Sequence, residues 1–221
     1  MDKVIITIAR GFGSNGKRIG SRLADDLGIH CYENRILLLA SQLSGIDKEI
    51  FQEANEKLRM TNYTQSFLRG LPKRLTPHPE EREFVSDDEL YSYEKTIIEN
   101  LADTESCIIV GKAADWVLRD RPNVISVYIE APRDYCRKSV MERMKIDAAT
   151  ADRAISSTDK YRAEYYQYYT GGNYWTNPVN YDITINTGRV GYENAVQLIE
   201  NYIRIKYPDW VSPAEAAKAQ G

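Results

Sequence analysis

Apolar positions along the chain fall into two kinds of pattern. Nearly continuous runs at Val4-Ile5-Ile6-Thr7-Ile8-Ala9, Cys107-Ile108-Ile109-Val110 and Val124-Ile125-Ser126-Val127-Tyr128-Ile129 read as strands covered on both faces. Ile29-His30-Cys31-Tyr32 and Tyr181-Asp182-Ile183-Thr184-Ile185-Asn186-Thr187 add two shorter candidates. Between them the period changes to that of a helix: Ile19, Leu23 and Leu27 stopped by Gly28, a second run over 33–43, and a more polar one over 47–59. Helical spacing returns at Leu90, Ile97, Ile98 and Leu101, where Ser86 and Glu89 have the spacing of a capping box. It returns again over 113–118, from Pro132 through Met144, over 150–169 as far as Gly171-Gly172, and over 192–205. Strand and helix alternate, which predicts an α/β fold with a parallel sheet and helices on both faces, one domain over 1–210. Residues 60–86 have no period and read as a functional or mobile loop; 211–221 read as a flexible tail.

Composition narrows what such a domain can do. Charged residues make up 28% and the net charge is −3, so no global basic field exists for a nucleic-acid polymer. No apolar run approaches the ~20 residues that span a bilayer, and Met1-Asp2-Lys3-Val4 lacks a signal pattern. A cytoplasmic protein without a membrane partner is the expectation. Cys31, Cys107 and Cys136 are widely spaced in apolar surroundings, as reduced core thiols are, and no zinc-ligand spacing occurs. Neither His30 nor His78 acquires a role. Sixteen tyrosines, crowded into the second half, allow a homo-oligomer.

The first strand supplies the candidate chemistry. It runs into Gly11-Phe12-Gly13-Ser14-Asn15-Gly16-Lys17-Arg18, in which Gly11, Gly16 and Lys17 match the G-x-x-x-x-G-K frame. Small residues there let backbone N–H groups converge on an anion at a helix N-terminus, and Lys17 adds a point charge. Gly11, Gly13, Ser14, Asn15, Gly16, Lys17 and Arg18 are therefore candidate phosphate-binding residues. The frame normally ends in Ser or Thr, a magnesium ligand, and here that position is Arg18.

Four blocks in order, 4–18, Ile108-Ile109-Val110-Gly111-Lys112-Ala113-Ala114-Asp115, Asp159-Lys160-x-Arg162-x-x-Tyr165-Tyr166-x-Tyr168-Tyr169-Thr170-Gly171, and the strand at 181–187, resemble the cytidylate kinase-like proteins among the P-loop nucleoside monophosphate kinases. The resemblance covers about residues 3–206. It implies a three-layer P-loop NTPase fold, a monophosphate-binding insert at 33–90 and a helical lid at 147–178. It also implies ATP with Mg²⁺ as cofactors, nucleotides as partners, and transfer of the γ-phosphoryl of ATP to a nucleoside monophosphate, CMP or dCMP first. By the same resemblance Lys17, Lys112 and Arg162 are the catalytic candidates, with Arg153 and Lys160 as further lid cations. Lys112, Asp159 and Asp182 are the substrate-side candidates. Asp159 and Arg162 share one helix face, so the carboxylate can orient the guanidinium.

Departures from the family pattern leave rival readings open. Gly111-Lys112-Ala113 stands where true cytidylate kinases carry Gly-Arg-Asp, replacing a planar bidentate donor by a point charge. With Arg18, this admits a kinase of another small-molecule acceptor, or a nucleotide-binding protein without turnover. The tyrosines at 165–169 read as packing or subunit interface, and Arg69, Lys73, Arg74, His78 and Arg82 as cations of a solvated loop.

Overall fold

The computed structural model describes residues 3–33, 35–44 and 87–219. Five strands form one parallel sheet: β1 (Ile5–Arg10), β2 (His30–Tyr32), β3 (Cys107–Val110), β4 (Val124–Glu130) and β5 (Ile183–Asn186), in the spatial order β2-β3-β1-β4-β5. β1 lies at the centre, with Ile8 opposite Val110 on one side and Val127 on the other. Central placement explains its unbroken apolar run. Val4, Ile6 and Ile8 face one core with Ile108, Val110, Ile125 and Val127, while Ala9 faces a second with Tyr128, Tyr166, Trp175 and Tyr181.

The first core is closed by two amphipathic helices, α1 (Gly16–Leu27) through Ile19, Leu23 and Leu27, and α8 (Tyr192–Lys206) through Ala195, Val196, Ile199 and Ile203. Gly28 stops α1 in the left-handed conformation, as its sequence position predicts. On the other side come α4 (Ala114–Val117) and the long α6 (Ala148–Tyr169), whose Ala151 and Ile155 pack on Cys136 and Val140 of α5 (Arg133–Met144). A short α7 (Thr187–Val190) follows β5.

The chain divides into two compact units, Met1–Asn34 with Ile98–Gly221, and Arg35–Ile97. The second contains α2 (Arg35–Ser44), with Ile36 and Ala40 buried, and the first part of α3 (Asp87–Thr104), with Leu90 and Glu94 buried. The helix expected at 47–59, the loop at 60–86 with its cations, and the Ser86 cap lie outside the described residues.

Within the expected tail lies α9 (Pro213–Lys218), opened by a full capping box in which Ser212 Oγ accepts from the Glu215 N–H and the Glu215 carboxylate accepts from the Ser212 N–H. Ser212 is completely buried, and Ala214 lies so close to Gly28 that a Cβ on that glycine would stand 2.9 Å from its nitrogen. A composition of small residues conceals a helix when the cap is overlooked.

Candidate functional site

β1 delivers Arg10 to the carboxyl edge of the sheet, and residues 11–16 turn the chain into α1. The turn is shaped from several sides. The hydroxyl of Ser14, fully buried, sits 2.9 Å from the carbonyl of Gly11 and 3.0 Å from that of Ile129. Thr187 donates to the Ser14 carbonyl (2.9 Å), and the amide of Asn15, itself left-handed at φ 67°, donates to the Tyr135 hydroxyl (2.9 Å). Gly13 has φ 92° and rests on α5, where a Cβ would come within 2.7 Å of the Cys136 carbonyl. Gly16 and Lys17 thus begin α1, and the unpaired N–H groups and positive dipole end of that helix face the turn.

Two carboxylates meet the cations here. Lys17 Nζ lies 2.5 Å from Glu33 Oε2, and Glu33 Oε1 accepts from Arg10 Nη2 at 3.1 Å. Burial would raise the Glu33 pKa, but the bonds from Lys17 and Arg10 outweigh it and hold the carboxyl below its usual range. Arg10 is buried, which lowers its pKa against the pull of Glu33. From α6, Arg162 Nη1 donates to the Arg10 carbonyl (2.8 Å) and stands 3.4 Å from Asp159, whose Oδ1 accepts the Phe12 N–H at 2.8 Å. Burial pushes the Asp159 pKa up, opposed by Arg162 and the Phe12 N–H. The Phe12 ring is flanked by the guanidinium carbons of Arg143 and Arg162 at 5.2 and 5.7 Å from its centre.

The neighbouring outlet, after β3, is built differently. Gly111, Lys112 and Ala113 have φ of 83°, 61° and 49°, three left-handed residues in succession. The Arg10 guanidinium presses against Gly111, leaving no room for a side chain. Lys112 Nζ reaches to 5.9 Å from the centre of the Tyr165 ring on α6. Just beyond, Asp115 is buried and accepts from the Tyr166 hydroxyl at 2.7 Å; burial pushes its carboxyl up to about 6.

The structure therefore gathers Lys17, Lys112, Asp159 and Arg162 at the carboxyl ends of adjacent strands, where open α/β sheets place ligands. Asp182 is elsewhere. It precedes β5 beside Ser126, in register with Thr7 of β1, and binds the Ser126 N–H (2.8 Å), Lys206 (2.8 Å) and the Tyr202 hydroxyl (3.2 Å). Its pKa stays low because Lys206 and Ser126 outweigh burial. A residue before a parallel strand lies toward the amino side of the sheet, away from the phosphate turn. Arg153 bonds Thr150 and Lys160 pairs with Glu164, both on the exposed surface of α6. Arg10 and Glu33, in contrast, join the cluster although the sequence pattern marks neither as a candidate. The available signal was a charge ending an apolar strand run.

A polyphosphate fits this donor set of two guanidiniums, two ammonium groups and a helix N-terminus. Magnesium finds no hydroxyl in the turn: Ser14 is spent on carbonyls, and the Arg18 guanidinium lies 4.7 Å over the Tyr192 ring. Among the described residues no group of three His, Cys, Asp or Glu could hold a metal ion, and no helix is long and apolar enough to cross a membrane. Burial pushes the Cys31 and Cys136 thiols up to about 11, so neither is a thiolate at neutral pH.

Residues 5–189 match the family model described as cytidylate kinase-like. No curated protein matches the sequence. Among solved structures, an uncharacterized protein from Eubacterium ventriosum ATCC 27560 is 27% identical over 91% of this chain and 98% of its own, with a TM-score of 0.63. A shikimate kinase from Bacteroides thetaiotaomicron is 13% identical over 91% of this chain and 98% of its own, with a TM-score of 0.51, a likeness of fold. The three-layer P-loop architecture is thereby established for this chain.

Proposed function

The chain belongs to the cytidylate kinase-like family, and from that premise we propose that it transfers the γ-phosphoryl group of ATP to a nucleoside monophosphate, with CMP or dCMP as first candidates. The observation that carries the reading is the convergence of Arg10, Lys17, Lys112 and Arg162 on the outlets of β1 and β3. Phosphoryl transfer asks mainly for positioning and charge neutralisation, and the acceptor oxygen is already anionic, so no general base is needed. In this reading Gly11 to Lys17 cradle the donor phosphates, Lys17 neutralises the terminal ones, Arg162 closes from α6, and Lys112 meets the phosphate passed between the nucleotides. Mg²⁺ would be held by nucleotide oxygens and water, supplying further charge neutralisation. Residues 33–90 serve as the acceptor-binding insert and 147–178 as the lid, in a cytoplasmic enzyme.

A second reading has its own support. With Arg18 engaged on Tyr192 and Lys112 in the place of a bidentate donor, the acceptor is another small molecule, or nucleotide is bound without turnover. ADP release from Mg-ATP, measured over nucleoside monophosphates and small hydroxylated acids and sugars, separates these readings. CMP- or dCMP-dependent turnover that falls about a thousandfold in Lys17→Ala is expected. Turnover with a different acceptor alone, or calorimetric ATP binding without any turnover, replaces the nucleotide-kinase assignment.

A further inference from the structure

Glu33, the first residue of the proposed insert, has no individual task in the scheme above, although it holds the ammonium on which that scheme depends. Its two oxygens serve two different cations, Lys17 at 2.5 Å and Arg10 at 3.1 Å. The two cations differ in freedom. Arg10 is the last residue of the central strand, its carbonyl is taken by Arg162, its guanidinium rests on Gly111, and its side chain is only 16% exposed. Lys17 carries a flexible four-carbon stem and is 59% exposed. Glu33 is thus a bridge from a fixed cation to a mobile one, at the point where the chain leaves β2.

We propose that Glu33 is a positioning residue for the phosphate turn: through its Arg10-anchored carboxylate it fixes the Lys17 ammonium at the mouth of the turn, and it competes with the arriving phosphates for that ammonium. Orientation is gained and ground-state affinity is given up. Interactions that weaken substrate binding without weakening the transition state raise turnover. Removing the carboxylate therefore has opposite effects on the two quantities: the site binds a polyanion more tightly and works more slowly. The kinetic half of this inference rests on the phosphotransferase reading; the binding half does not.

The test uses Glu33→Gln and Glu33→Asp in the full chain, each with circular dichroism and a thermal melt. Glutamine keeps an oxygen for Arg10 and loses the charge; aspartate keeps the charge and loses reach. Calorimetric titration with Mg-free ADP is expected to show about three- to tenfold tighter binding by Glu33→Gln, and a smaller gain by Glu33→Asp. With the acceptor found in the panel, kcat of Glu33→Gln falls about tenfold or more while KM for ATP falls too. ADP affinity unchanged or weakened in both folded variants overturns the proposal, as does a change confined to KM of the acceptor. If no acceptor supports turnover, the kinase reading fails and the ADP titration still decides the competition.

Discussion

Behind the outlets of β1 and β3 stand two lysines, each one residue past a glycine, held by opposite means. Around Lys17 the backbone is shaped by bonds: Ser14 to Gly11 and Ile129, Thr187 to Ser14, Asn15 to Tyr135. Around Lys112 it is shaped by strain, with Lys112 and Ala113 both left-handed though neither is glycine. Such a conformation costs roughly 1–2 kcal/mol per residue. It persists because the surroundings over-determine it: Ala113 and Asp115 are buried, Tyr166 bonds Asp115, and Arg10 fills the space beside Gly111. A bonded turn leaves its signature in residue spacing, while a strained one leaves almost none.

Three measurements put this contrast at risk. The largest effect belongs to Gly13→Ala, whose Cβ meets the Cys136 carbonyl at 2.7 Å in a backbone conformation unsuited to a side chain. A loss of roughly 3–4 kcal/mol by urea denaturation is expected; a midpoint equal to the parent's would mean that α5 does not set the turn.

Asp115 gives the next. Its folded pKa of about 6, raised by burial, lies above the ordinary value of 3.8, so its contribution to stability is full below about pH 3.8 and disappears as pH rises through about 6. At about 1.4 kcal/mol per unit that is a loss on the order of 2–3 kcal/mol by neutral pH. Asp115→Asn, denatured at pH 4 and again at pH 8, should gain about that much on the parent between the two. A difference independent of pH would show that burial does not raise the pKa of this carboxyl.

The smallest effect is at Lys112. Replacement by glycine relieves one left-handed residue and should stabilise the fold by about 0.5–1 kcal/mol over Lys112→Ala, while both variants lose turnover about equally. If glycine and alanine melt alike, the second outlet is not strained.

Much of this was legible in the chain, for identifiable reasons. The central strands are buried on both faces and so read as apolar runs, and the frame from Gly11 to Lys17 is a spacing rule that the backbone obeys. The sequence does not mark Arg10 and Glu33, because a charge closing an apolar run reads as the chain re-entering water. At the carboxyl edge of a parallel sheet it can equally be a residue turned into the site. Asp182, the further substrate-side candidate, stands near the start of the expected strand at 181–187, and an early strand position lies toward the amino side of a parallel sheet, apart from the cluster. Nothing in composition announces the left-handed run at 111–113, since backbone strain is decided by tertiary packing.

Four cations and two carboxylates converge at the outlets, Arg10, Lys17, Lys112 and Arg162 against Glu33 and Asp159, in a chain whose net charge is −3. The positive excess is therefore local, and the remaining residues of the chain sum to a charge more negative than the whole. A polyanion diffusing toward the protein meets repulsion at long range and attraction only in the last few ångströms. Salt at ~0.15 M has a Debye length of about 8 Å and screens the outer field more than the inner one. Moderate ionic strength then favours encounter with the site, the reverse of what a uniformly basic phosphate-binding surface experiences.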